Sequence, residues 1–497
     1  MSKSNTIQNF MSKKGLSRLE FLKAGALSTA AMGSGMLGGT LRQSRTKKSS
    51  FGDAKNVIFL VSDGMSSGTL ALADLVKQRQ YGNKSNWISL YESDREYHRG
   101  LMDMATRNSV VPDSAAAASS WGCGQRINNG AVNWGPNDEE FKTICEIFRD
   151  AGKGTGLVTT ARITHATPSG FGINMPTRGM EDEIAEQYAE RKYDLLMGGG
   201  ARHFSPDSRD DGKDLYSVFE EEGYTVVKNK QEMNRATRNS KLLGLFYDSH
   251  LPYTVDHKTL SELQDSVPTL AEMTKSALDR LNRNDNGFIL QIEGGRVDHA
   301  AHGNDPAGLI YDQIAFDDAI KEVMDFTDGR DDTLVILTTD HGNANPGLSG
   351  LGSGYGDSPA MLDTIQNYRH SFEWMYSEMG YHWSDDSLEG ITVKDIMDHV
   401  EYAMNTKITR DEGLMLKRSF QGEFRSPFRN RQQPAGVLSG VLANYNGISF
   451  ISTNHTADYV EIAAWGPGSD RIPAFVRNTA LFDLMVDMAD VRAYAEG

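Results

Sequence analysis

With 497 residues and a formal net charge of -16, the chain is long enough to bury a large core and too acidic for a typical nucleic-acid-binding protein. Length alone allows roughly three domains, although large α/β chains often form one. The two cysteines, Cys123 and Cys145, exclude a disulfide framework and lack the spacing of a zinc ribbon. We expect two unpaired buried thiols rather than a single bridge.

The first 50 residues have the composition of an export signal. Lys13 and Lys14 precede the segment SRLEFLK and, over residues 24–41, a weakly apolar stretch rich in Gly, Ala and Ser. SRLEFLK is similar to a twin-arginine motif, but Leu19 stands where the second arginine belongs, so the twin-arginine and general secretory routes both stay open. The stretch is too short and too polar for a membrane span. We expect an exported, periplasmic or extracellular protein, and the alternative is a plain disordered tail.

Three buried strands are predicted from apolar runs that each end in an acidic residue near glycine. They are residues 56–61 followed by Asp63, residues 288–292 followed by Glu293, and residues 333–339 followed by Asp340 and His341. In open α/β sheets, ligands bind outside the carboxyl ends of the strands. Because carboxylates repel one another at close range, three converging acidic strand ends indicate a cation site.

A second ligand pattern follows the strand at residues 288–292. Gly294 and Gly295 end the strand, and Asp298 and His302 come after them with a spacing of four. If this segment is helical, the spacing places both side chains on one face. Oxygen and imidazole ligands together suit zinc or a similar divalent ion, whereas the alternative is a surface Asp–His pair.

Residues 110–121 predict a helix with a serine at its N-terminus. The alanine run favours a helix, and Pro112 and Asp113 are typical of its first residues. Ser114 would then lie at a helix N-terminus, where free N–H groups and the helix dipole favour a phosphate or an alkoxide. The alternative is that Asp113 or Ser114 is only a cap.

Strands and helices alternate through the first 342 residues. Further strands are predicted at 154–160 and 193–197, and helices at 142–151, 268–281 and 306–326. This alternation predicts a three-layer α/β/α sandwich with a large, mostly parallel central sheet. Arg178 lies in a predicted turn, and its planar guanidinium is able to grip a phosphate through two hydrogen bonds.

After His341 the composition changes. Residues 347–356 are rich in Gly and Ser, aromatic clusters follow, and a helix is predicted from Thr392. We interpret residues 343–450 as an inserted lid or oligomer contact, with His370 and His382 as structural or surface residues. The core is expected to resume with a strand at 447–452 that ends at Thr453–Thr456, so that residues 51–342 and 451–497 form the two parts of one catalytic core.

Six motifs resemble those of the alkaline phosphatase family and occur in that family's order. They are SDGM around Asp63, PDSAAAA around Ser114, VTTARITHATP, EGGRVDHAAH, LTTDHGN, and TNHT around His455. They span the chain from about residue 56 to its end, apart from the insertion. The resemblance implies an alkaline phosphatase-like fold and a metal-dependent phosphomonoesterase that forms a phosphoserine intermediate.

The resemblance also implies a role for each matching residue. It implies a first zinc held by Asp298, His302 and His455, a second zinc held by Asp63, Asp340 and His341, and a magnesium held by Asp63, Glu293 and Thr167. Ser114 would be the nucleophile and Arg178 the phosphate clamp, with Asp113 holding the arginine. His165 and His299 match the animal enzymes of the family rather than its best-known bacterial member, which leaves the ion in the magnesium site open.

The expected reaction is the hydrolysis of small phosphate monoesters by a homodimer, with no nucleic-acid binding as a main function. A phosphodiesterase of the same superfamily would share the zinc sites but usually lacks Arg178 and Glu293. A sulfatase would need a C/S-x-P-x-R motif, which is absent from the sequence. The alternative from another class is a non-catalytic phosphate or metal scavenger, which would leave Ser114 without a role.

Overall fold

The computed structural model describes residues 49–352, 354–381, 388–423 and 434–495, and these residues belong to one compact unit. The predicted export segment, apart from its last two residues, and His382 lie outside the described residues. Cys123 and Cys145 are both buried and unpaired, as expected. Within the described residues, we find no helix with the length and apolar character needed to cross a membrane.

A ten-stranded sheet forms the centre of the fold, and four short strands lie outside it. The strands are β1 Asn56–Ser62, β2 Tyr97–Asp103, β3 Gly154–Arg162, β4 Leu195–Gly199, β5 Tyr224–Val227, β6 Lys241–Leu245, β7 Phe288–Gly294, β8 Thr333–Thr338, β9 Gly342–Asn343, β10 Gly347–Leu348, β11 Ile448–Ser449, β12 His455–Thr456, β13 Val460–Trp465 and β14 Phe475–Arg477. The order across the sheet is β14-β2-β13-β8-β1-β7-β3-β4-β6-β5. β13 runs antiparallel to β2 and β8, and the other neighbours in the sheet are parallel.

The central strands are buried on both faces, which is why their sequences are continuous apolar runs. In β1, Val57, Phe59 and Val61 pack into one hydrophobic cluster, whereas Ile58 and Leu60 pack into another. Successive side chains of a strand point to opposite faces, so the two clusters lie on the two sides of the sheet. Helices cover both clusters, and the predicted three-layer α/β/α fold with a mostly parallel sheet is confirmed.

The helices of the described residues are mostly short. The α-helices are Ser67–Tyr81, Asn86–Glu92, Ser114–Gly122, Ile144–Asp150, Ala166–Gly172, Glu181–Arg191, Leu215–Glu221, Lys230–Arg235, Thr254–Thr259, Ser261–Ser266, Leu270–Leu281, Arg296–His302, Pro306–Phe326, Ser358–Asp363, Phe372–Glu378, Val393–Met404, Arg410–Phe420, Pro434–Asn446, Ala480–Met488 and Arg492–Ala495, with 3-10 turns at Ala201–His203, Thr364–Asn367 and Ser469–Arg471. The helix predicted at 268–281 begins at Leu270 because Thr269 caps it in a box with Glu272.

The strand predicted at residues 447–452 is wrong as part of the core sheet. Only Ile448–Ser449 is extended, and it pairs with Gly347–Leu348 in a separate two-stranded ribbon. The C-terminal part of the chain enters the central sheet through Val460–Trp465 instead. The strand predicted at 193–197 is observed two residues later, at Leu195–Gly199. The boundaries of the insertion remain a prediction.

Candidate active site and metal centre

Four neighbouring strands deliver polar residues to one edge of the sheet. β8, β1, β7 and β3 are adjacent and parallel, so their carboxyl ends lie side by side. Asp63 follows β1, Glu293 lies near the end of β7, and Asp340 and His341 follow β8. All four side chains are fully buried. The fold therefore gathers the acidic strand ends in one water-poor volume.

The first ligand group consists of Asp63, Asp340 and His341. His341 Nε2 lies 3.2 Å from Asp340 Oδ2 and 3.6 Å from Asp63 Oδ1. The N–H of Gly64 donates to the other oxygen of Asp340 at 2.9 Å. Among the described residues, Asp63 Oδ1 and Asp340 Oδ2 have no hydrogen-bond partner although they are buried. Two orphaned carboxylate oxygens beside an imidazole nitrogen fit a divalent cation.

The electrostatics of these carboxylates also fit a cation. Burial, followed by repulsion from Asp340 and Asp298, raises the pKa of Asp63 well above its usual value. Burial and the Asp298 charge raise the pKa of Asp340 to about 8, and burial raises the pKa of Glu293 to about 7. Crowded carboxylates retain protons unless positive charge compensates them. A cation at this edge of the sheet would compensate the three carboxylates.

The second ligand group consists of Asp298, His302 and His455. Asp298 and His302 lie on the helix Arg296–His302, as their spacing predicted, and β12 pairs with β9 to bring His455 beside them. His302 Nδ1 donates to Thr453 O at 2.6 Å, and His455 Nδ1 donates to Pro112 O at 2.8 Å.

These outer hydrogen bonds fix the tautomer of both imidazoles, because a carbonyl oxygen accepts a proton only from a protonated nitrogen. The two Nε2 atoms face each other at 3.0 Å, and whenever both rings are neutral both of these atoms present lone pairs. Asp298 lies 3.4 Å from the first Nε2 and 3.5 Å from the second. Facing lone pairs next to a carboxylate repel one another unless a shared cation lies between them, and this donor set fits zinc.

A third ligand group lies on the other side of Asp63. Asp63, His165 and Glu293 place ligand atoms within 4.8 Å of one another. Thr167 Oγ1 donates to Asp63 Oδ2 at 3.4 Å, and Thr159 Oγ1 donates to Glu293 Oε2 at 2.5 Å. Glu293 Oε1 and His165 Nδ1 are buried without a partner. The group therefore offers oxygen ligands together with an imidazole, and His165 supplies one of its three ligand atoms.

Ser114 begins the nine-residue helix Ser114–Gly122, as predicted. Its side chain is almost fully buried, and its Oγ lies 3.3 Å from Nε2 of His341. Asp113 caps the helix by accepting the N–H of Ala116 at 3.0 Å. The hydroxyl thus lies between the positive end of a helix dipole and the first ligand group, where a serine alkoxide is stabilised.

Arg178 is held over the same helix start. Its Nη1 donates to Asp113 Oδ2 at 3.2 Å, and that oxygen also accepts the N–H of Gly130 at 3.0 Å. Its Nη2 lies 2.9 Å from His165 Nε2. Burial and the positive charge of Arg178 lower the pKa of His165 well below its usual value, so the imidazole is neutral. The guanidinium is fixed on two sides and about a quarter of its side chain is exposed toward solvent.

Three supporting residues were given no role from the sequence. Thr159 and Asn343 lie in the motifs VTTARITHATP and LTTDHGN, but no function was assigned to either of them. Thr159 donates to Glu293, and Asn343 Nδ2 donates to Asp298 Oδ1 at 2.6 Å. The third residue, His250, lies beside His299 with the two rings tilted by 58° and their centroids 4.1 Å apart. A signal for His250 existed, because it follows the parallel strand β6, but that strand was not identified. His299 itself also lies near His165, with centroids 5.2 Å apart.

The chain is similar to known proteins over most of its length. A family model described as alkaline phosphatase matches residues 54–491. Alkaline phosphatase 4 of Bacillus subtilis is 30% identical over 491 residues, covering 96% of this chain and 97% of that protein. The repressible alkaline phosphatase of Saccharomyces cerevisiae is 34% identical over 318 residues, covering 58% of this chain and 54% of that protein. The crystal structure of Thermus thermophilus alkaline phosphatase superposes with a TM-score of 0.82 at 32% identity, covering 92% of this chain and 96% of that one.

Proposed function

Because this chain belongs to the alkaline phosphatase family, whose members hydrolyse phosphate monoesters, we propose that it acts through a phosphoserine formed on Ser114. The observation that carries the proposal is the position of Ser114 Oγ, 3.3 Å from His341 Nε2 and at the start of a helix. No other described group combines a nucleophilic hydroxyl, a helix N-terminus and adjacent cation ligands in this way.

The proposed ligand sets follow the three groups of side chains. Asp298, His302 and His455 would hold one zinc, Asp63, Asp340 and His341 a second zinc, and Asp63, Glu293 and Thr167 a magnesium, with His165 beside it. The orphaned carboxylate oxygens and the facing imidazole nitrogens support this assignment. When bound, such ions supply Lewis-acid charge that lowers the pKa of hydroxyl groups and water and neutralises phosphoryl oxygens.

The residues of the chain then bind, orient and react. Arg178 holds two phosphoryl oxygens through its planar fork, and Asp113 fixes that fork. Ser114 Oγ loses its proton and attacks phosphorus, the bond from phosphorus to the alcohol oxygen breaks, and the alcohol leaves with a proton. Water then attacks the phosphoserine, which releases inorganic phosphate and restores the hydroxyl. The helix dipole stabilises the Ser114 alkoxide in both steps.

Removal of the nucleophile tests the proposal. Ser114→Ala is expected to lower kcat by roughly three orders of magnitude or more and to abolish acid-stable labelling by radioactive phosphate. Ser217→Ala, which alters an exposed serine on the helix Leu215–Glu221, is the matched control. It is expected to keep the wild-type kcat and the acid-stable label. Label that is still trapped at acid pH on Ser114→Ala would contradict the assignment.

One comparison of substrates distinguishes the proposed function from that of a phosphodiesterase and from that of a non-catalytic scavenger. Monoester and diester forms of p-nitrophenyl phosphate are compared at alkaline pH with zinc and magnesium present. Faster turnover of the monoester supports the proposal, and preference for the diester would assign the chain to the phosphodiesterases. Tight phosphate binding without turnover of either would identify a scavenger.

We also propose export and a homodimer, both of which rest on the family resemblance and on the signal-like sequence of the first 50 residues. Sedimentation of the purified protein at micromolar concentration tests the dimer, and a monomer alone would contradict it. Sequencing the N-terminus of the protein recovered outside the cytoplasm tests removal of the signal.

A further inference from the structure

A cavity of about 270 Å³ opens beside His302, and residues of both the core and the inserted segment line it. Its wall includes Tyr253, His299 and Arg296 from the core and Glu373 from the insertion. Ser114 lies against His341, whereas His302 belongs to the other ligand group, with Asp298 and His455. Under the proposed function, in-line attack by Ser114 directs the leaving alcohol to the opposite side of phosphorus. We therefore take the cavity beside His302 as the space for the alcohol part of a substrate.

An ion pair lies in this wall beside the rings of His250, His299 and His302. Arg296 Nη2 donates to Glu373 Oε2 at 2.8 Å. The Arg296 side chain is 2% exposed and stacks on the ring of Tyr253 at 3.7 Å, whereas the Glu373 side chain is 50% exposed. An entering ligand thus meets the carboxylate before it meets the covered guanidinium.

Glu373 is held in place by its neighbours. It lies in the first turn of the helix Phe372–Glu378, whose N-cap is Ser371. Ser371 donates to the buried Asp256 through both its N–H and its Oγ, at 2.9 and 2.6 Å. The N–H of Phe372 donates to Asp305 Oδ2 at 2.7 Å. These bonds anchor the helix start on the core, so the carboxylate of Glu373 is a fixed part of the wall.

We propose that Glu373 is a specificity-determining residue that makes the site favour phosphate esters of cationic or neutral alcohols over esters whose alcohol carries a second negative charge. The inference rests on the proposed function of the same site. A fixed carboxylate repels an anionic alcohol group and attracts a cationic one at close range. Because the Glu373 side chain is 50% exposed, water and salt keep this effect moderate.

A charge series of substrates tests this role. We compare kcat/KM for phosphocholine, glycerol phosphate and 3-phosphoglycerate in the wild type, in Glu373→Gln and in Glu378→Gln. Gln keeps an oxygen for Arg296 but removes the negative charge, so the ratio of 3-phosphoglycerate to phosphocholine is expected to rise about three- to tenfold. Glu378 is exposed at the end of the same helix, does not line the cavity, and its variant should keep the wild-type ratio.

The outcomes separate this inference from the proposed function. An unchanged ratio in Glu373→Gln, or an equal loss for all three substrates, would overturn the specificity role and leave Glu373 with a structural one. Glu373→Asp retains the charge and is expected to keep the ratio within about twofold. A lowered melting temperature in Glu373→Gln and Glu373→Asp, without a change in the ratio of 3-phosphoglycerate to phosphocholine, would also overturn the specificity role. If the wild type hydrolyses none of the three substrates, the result counts against the proposed function instead.

Discussion

Asp113 uses its two carboxylate oxygens for two different structures. Oδ1 accepts the N–H of Ala116 and caps the helix that presents Ser114, whereas Oδ2 accepts from Gly130 and from Arg178. One side chain therefore sets both the start of the nucleophile helix and the direction of the phosphate clamp. The two effects are separable, because an amide retains one accepting oxygen but not two.

Asp113→Asn and Asp113→Ala should differ in stability and agree in phosphate binding. Asn caps a helix about as well as Asp, so its variant should unfold with nearly the wild-type free energy, whereas Ala costs about 1 kcal/mol. Both changes release Arg178, and the inhibition constant of inorganic phosphate should rise about three- to tenfold. Urea unfolding and inhibition assays measure these effects. An unaltered inhibition constant in Asp113→Asn would show that Arg178 needs no support from this carboxylate.

At the scale of elements, the end of β1 and the helix Arg296–His302 approach unusually closely. Gly64 has φ +69°, and a Cβ at this position would lie 2.5 Å from Oδ1 of Asp298 and 2.9 Å from its Cα. Both the positive φ and the close approach require glycine here. The distance between the two main ligand groups is thus set by one residue that has no side chain.

Gly64→Ala should damage the metal site far more than the fold. Gly82 has φ +75° and open space around it, so Gly82→Ala pays the same backbone cost, about 1 kcal/mol, without a clash. Only Gly64→Ala displaces Asp298, and activity should fall on the order of a hundredfold. Metal content by atomic emission and kcat/KM are the measurements. Equal activity in the two variants would mean that the helix shifts without loss of its ligands.

Strands that are buried on both faces could be predicted from the sequence. β1, β7 and β8 are buried on both faces, so their apolar runs are unmistakable, and the acidic residues at their ends marked the site. Residues 447–452 have a similar composition, but composition does not specify a partner strand, and they pair with β10 outside the sheet. His250 approaches His299 only through the tertiary fold, so local pattern could not place it in the site.

At the scale of the whole molecule, the carboxylates at this edge of the sheet make the free energy of unfolding depend on pH and on bound metal. Without metal, the raised pKa values of Asp63, Asp340 and Glu293 keep protons on the folded protein that the unfolded chain releases near pH 4. Their contribution to stability is complete below pH 4 and is lost as pH rises toward about 8. Burial lowers the pKa of His165 and His341, so their contribution is complete above the unfolded value near 6.5.

Above pH 6.5 the contribution of these histidines to stability no longer changes. The titration of the buried carboxylates then determines how the free energy of unfolding changes with pH. In chelator, the free energy of unfolding should fall by roughly 1 to 3 kcal/mol between pH 6.5 and 8, whereas zinc and magnesium should reduce the fall because bound cations release the protons of the ligand carboxylates. A small part should remain, because burial also raises the pKa of Asp305 and of Asp312, outside the ligand groups, to about 7. Melting curves at several pH values, with chelator or with metal, measure the difference. Asp340→Asn removes one titrating group and should show a smaller fall in chelator than the wild type. A chelated wild type whose stability stays constant or rises from pH 6.5 to 8 would show that the buried carboxylates are already compensated without metal.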